Sequence, residues 1–131
     1  MLGIGPAGGV LAVVLGGCAQ PPGGFDSPVP AERLNAITEA AAERDRGSVP
    51  DLIRMLSSDD PLVRLASIRS LERITGQTLG YDHAAPSGER WEATKAWVDW
   101  YNAREPGADP LPALDPPPGG TAPEPISLLP G

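Results

Sequence analysis

The chain has 131 residues with a formal net charge of −7, from 17 acidic against 10 basic side chains scattered among one another. That balance excludes nucleic acid and anionic lipid headgroups as expected partners, because phosphate binding needs a basic stripe. A single cysteine excludes an intramolecular disulfide and a thiolate metal site, and stability has to come from packing alone.

At the N-terminus the apolar run Val10-Leu11-Ala12-Val13-Val14-Leu15 is followed by Gly16-Gly17-Cys18. The stretch resembles the signal peptide of a bacterial lipoprotein, in which small residues precede a cysteine that receives a lipid and becomes the mature N-terminus. The resemblance implies a signal peptide over 1–17, lipidation at Cys18 and a lipid-anchored protein at the periplasmic or extracellular face of the cell envelope. Two other readings stay open here, a free thiol in a cytosolic protein and an uncleaved anchor. A spanning helix needs about 20 apolar residues, and this stretch is shorter and broken by Gly3, Gly5, Pro6, Gly8 and Gly9.

Residues 18–29, rich in Pro and Gly, read as a tether, since proline removes backbone donors and neither residue buries much apolar surface. One folded unit over 30–104 then remains, about 75 residues, near the lower size at which a single core holds without staples. A first helix is expected from Pro30 to Arg46, with Leu34, Ile37 and Ala41 at helical spacing and Gly47 as its stop. Ser48-Val49-Pro50-Asp51 reads as a capping box opening a short second helix to about Ser57, which buries Leu52, Ile53 and Leu56.

Asp59-Asp60-Pro61-Leu62-Val63-Arg64-Leu65-Ala66 through Leu71 and Ile74 is the clearest motif in the folded part. Asp60 is placed to cap free amides, Pro61 sits where no donor is needed, and Ala66 permits close approach of a neighbour. This segment resembles the second helix of a HEAT repeat, whose signature positions fall here on Asp60, Pro61, Val63, Arg64, Ala66, Leu71 and Ile74. The resemblance makes the second and third helices one repeat. Pro30, Arg33, Leu34 and Ile37 also overlay Pro61, Arg64, Leu65 and Ile68 in register. The first helix would then be the second helix of a preceding, truncated repeat, and the third, apolar on two sides, the central element.

After Gly76 a loop over 77–86 leads to a fourth helix, from a cap at Ser87 to about Arg104. Its expected buried stripe is Trp91, Thr94, Val98 and Tyr101, with Trp97 at the margin and Trp100 on the opposite face. Trp97 and Trp100 are therefore the candidate anchors for a protein partner, the other reading being that the loop with Tyr81 or the proline-rich tail covers Trp100. The fold expected is all-α: a short HEAT-like solenoid or bundle of about four helices, between a disordered leader and tether and a disordered proline-rich tail over 105–131, whose other reading is a docking ligand for an aromatic groove.

His83 stands alone without ligand-spaced neighbours, and Asp51, Asp59 and Asp60 are better explained as helix caps than as a carboxylate pair or calcium site. No nucleophile elbow, phosphate loop or zinc spacing is present. No enzymatic activity, cofactor, metal or small-molecule substrate is expected. Two function classes remain: an interaction or scaffolding module tethered to a membrane by lipid on Cys18, and a structural envelope lipoprotein acting as a spacer.

Overall fold

A computed structural model describes residue 3 and residues 23–118. Apart from residue 3, the expected signal peptide lies outside the described residues, as do Cys18 and the tail beyond residue 118. Those residues form an all-α fold of four helices without strands: α1 (Pro30–Glu43), α2 (Val49–Met55), α3 (Pro61–Thr75) and α4 (Ser87–Arg104).

Pro30 opens α1 at a position whose amide would have no helical partner. The helix ends at Glu43, before the expected Arg46, because Arg44 turns into the left-handed region at φ 50°. The Asp45 amide then reaches back to the Ala40 carbonyl at 3.0 Å, closing the last turn. Gly47, expected as the stop, lies in a 3₁₀ turn over Arg46–Ser48, where its amide donates to Asp45 Oδ1 at 2.8 Å.

The expected Ser48–Asp51 capping box does not form. Ser48 keeps a near-helical backbone and its hydroxyl donates to Asp45 Oδ2 at 2.6 Å, while Asp51 pairs with Arg54 one turn along. The Ser48 hydroxyl and then the Gly47 amide hold the Asp45 carboxyl below its usual range. The helix α2 stops at Met55, where tighter i→i−3 bonds carry the chain through Ser58.

At α3 the expected cap is present. Asp60 accepts the Leu62 amide at 2.8 Å and the Val63 amide at 3.4 Å, and Gly76 ends the helix at φ 76°. Ser87 gives α4 no side-chain cap; the Pro86 carbonyl accepts the Arg90 amide instead.

Packing runs from α1 to α3, from α3 to α2 and from α2 to α4. The core is built from Ile37 of α1, Leu52 and Ile53 of α2, Val63 and Leu71 of α3, and Trp97 of α4, each at most 1% exposed. Small side chains let α1 and α3 approach: Ser70 is buried and its hydroxyl lies 3.4 Å from the Ile37 carbonyl. The helix α3 is central, with Ile68 buried and Leu65 and Ile74 half-buried.

Both boundaries of the folded unit lie outside 30–104. On the N-terminal side a 3₁₀ turn over Gly24–Asp26 packs on α1 and Phe25 lies against the core. Ser27 is buried there, its carbonyl accepting from Arg33 at 2.8 Å and its hydroxyl donating to Glu32. On the C-terminal side Leu111 and Leu114 pack against the core. Proline content favours extended backbone in both segments but does not prevent the interspersed apolar side chains from docking.

Candidate binding surface

The buried face of α4 is Thr94, Trp97, Val98 and Tyr101, an i, i+3, i+4, i+7 set. It is rotated from the expected stripe, so Trp97 moves from the margin to the centre and Trp91 to the edge. The Trp97 side chain is wholly buried and its indole N–H donates to the Thr78 carbonyl at 3.1 Å. As a surface anchor Trp97 is thereby corrected to a core residue. Trp100 is half-buried, not on an open opposite face. It stands edge-on to Trp97 with ring centroids 5.3 Å apart and planes at 71°, and the Arg104 guanidinium sits over its ring at 5.0 Å, a cation–π arrangement.

Trp91 borders a cleft of about 470 Å³ formed by the α2–α3 turn, the first half of α4 and the segment from Asp115 to Pro118. Its indole nitrogen is buried without a hydrogen-bond partner, and the Lys95 ammonium lies 4.5 Å over its ring. Near the other end of α4, Asn102 Oδ1 accepts the Leu111 amide at 2.8 Å while its Nδ2 donates to the Leu111 carbonyl at 3.1 Å. Sequence reasoning passed over Asn102 and Leu111; the signal that marks them is two leucines set among prolines just after a helix.

The signature positions serve the fold. Asp60 caps α3, and Val63 and Leu71 fill the core. Arg64 is 9% exposed and spends its guanidinium on backbone carbonyls of Ser58 at 2.8 Å, Asp59 at 2.9 Å and His83 at 3.3 Å. It ties the α2–α3 turn to the loop before α4. Tyr81 in that loop donates its hydroxyl to the Leu56 carbonyl at 2.6 Å, and burial pushes the phenol up from its usual range. The His83 ring is 3.7 Å from the Asp82 carboxylate. Among the described residues no group of His, Cys, Asp and Glu could hold a metal ion, and no helix is long and apolar enough to cross a membrane.

The family model described as HEAT repeats matches residues 25–86. This part of the chain is similar to HEAT repeats, and the match starts at Phe25, where the docked N-terminal segment lies. The helix α4 and the chain beyond it lie outside the match. No curated protein and no solved structure matches the chain. HEAT repeats are in general helical scaffolds for protein–protein interaction.

Proposed function

We propose that this chain is a protein-interaction module of the cell envelope, held at a membrane by lipid on Cys18. The observation that carries the interaction half is the HEAT-repeat match over residues 25–86. The surface supports it as well: Trp91 and Trp100 are half-buried on α4, Trp91 at the border of a cleft, and aromatic side chains at a partly covered surface are the usual anchors of protein interfaces. The anchoring half rests on the apolar run that ends at Gly16-Gly17-Cys18. The acidic charge is compatible with an anchor of two or more acyl chains, which needs no basic patch.

The test is Cys18→Ser in the producing cell. Since acylation needs the thiol, the variant is expected to leave the membrane fraction or to keep its leader, and to lose incorporation of a labelled fatty acid. Membrane fractionation and labelling unchanged from the parent would overturn the anchor.

A further inference from the structure

Leu111 lies between Pro110 and Pro112. It therefore holds the one backbone N–H of that tripeptide, and the following proline confines it to extended backbone. Asn102 engages both polar groups of this residue, accepting from the amide at 2.8 Å and donating to the carbonyl at 3.1 Å. A side-chain amide, donor and acceptor side by side, is matched to one unit of extended backbone whatever its side chain. Leu111 and Leu114 then supply apolar contact with the core.

Farther along the tail, Pro116, Pro117 and Pro118 wall the cleft beside Trp91 and its unpartnered indole N–H. At about 100° per residue Asn102 and Trp91 stand within about 20° of one another on α4, about 16 Å apart along its axis. An extended proline-rich chain leaving Leu111 covers that span by Pro116, at about 3.1 Å per residue. The tail thus runs back along α4 in extended form, its backbone held by the Asn102 amide at one end and its prolines facing Trp91 across the cleft at the other. Proline-rich ligands are bound in this way, by aromatic side chains and donors directed at their carbonyls.

We propose that the face of α4 carrying Trp91 and Asn102 is a groove for extended proline-rich protein segments with leucines spaced as 111 and 114, and that residues 105–118 occupy it in cis until such a segment displaces them. This deepens the interaction reading and rests on it, and it is independent of the lipid. Covalent attachment gives the cis segment an effective concentration on the order of millimolar, so the native chain resists weak competitors.

The experiment uses the full chain with Leu111→Ser and Leu114→Ser together, which releases the occupant and leaves Trp91 and Asn102 in place. A synthetic peptide of the natural sequence Glu105–Pro118, which contains no tryptophan, is titrated while the fluorescence of the protein's indoles is followed. The peptide is expected to bind the released chain at least about tenfold more tightly than the native chain. Adding Asn102→Asp, which keeps the acceptor and loses the donor, is expected to remove that gain. Circular dichroism and melting verify folding, and Leu111→Ala with Leu114→Ala replaces the serine pair if that pair unfolds the chain. Equal binding to native and released chains, no saturable binding to a folded released chain, or binding undiminished by Asn102→Asp would each overturn the groove. Such a failure leaves interaction through α1–α3 and the Cys18 result standing, whereas a failed Cys18 test leaves the peptide measurement unchanged.

Discussion

Trp97 and Trp100 touch edge to face, yet their surroundings give them different work. Trp97 is enclosed on all sides with its N–H satisfied, so Trp97→Ala opens a cavity and strands the Thr78 carbonyl. A loss of about 3–5 kcal/mol is expected, enough to unfold a unit of this size. Trp100→Ala removes a half-buried ring and its stacking with Arg104, for a loss of about 1–2 kcal/mol. Chemical denaturation of the two variants side by side checks the ratio; equal losses would mean that Trp100 is as enclosed as Trp97. Periodicity alone identified α4 as a half-buried helix but put its phase one step away, through Trp91 instead of Trp97. The observed phase buries Trp97 and gives its N–H an acceptor at Thr78, in a loop whose path the helix pattern does not contain. Arg64 was legible as a signature position but its role was not, because its three carbonyl partners come from turns on either side of α3.

At the scale of elements, the sequence offers three polar residues ahead of helices, and only Asp60 bonds to the free amides of its helix. Ser48 is drawn off by Asp45, and Ser87 stands one position inside the helix that it was expected to cap. Asp60→Ala is therefore expected to cost about 1 kcal/mol, the usual worth of a cap, while Ser87→Ala stays within about 0.5 kcal/mol of the parent. Thermal melting of both resolves them, and a cost at Ser87 equal to that at Asp60 would contradict the geometry. All four helices were legible, since apolar spacing and proline starts are local signals. The end of α1 was not, because the left-handed turn fell on an arginine while the nearest glycine stood farther along. Glycine is the usual occupant of that conformation but not a requirement for it.

For the molecule as a whole, the segments read from composition as tether and tail both enter the folded unit, Phe25 at one end and Leu114 at the other. If they belong to one cooperative structure, Phe25→Ala and Leu114→Ala should each lower the single melting transition, by about 1–2 kcal/mol for side chains only partly enclosed. A separate low-temperature transition, or no shift, would show that the ends melt apart from the core. Composition concealed these contacts because one phenylalanine or two leucines weigh little against many prolines, though they suffice to dock a short segment. The early start of the fold also has a mechanical consequence. With packing begun at Gly24, Cys18 is covalently within about 20 Å of it at full stretch, whereas a compact body of this size has a radius of gyration of about 13 Å. A lipid at Cys18 would hold the body almost flush with the bilayer, as a fixture that drifts sideways with its lipid and meets neighbours in the same membrane, not as a lure cast into the surrounding fluid.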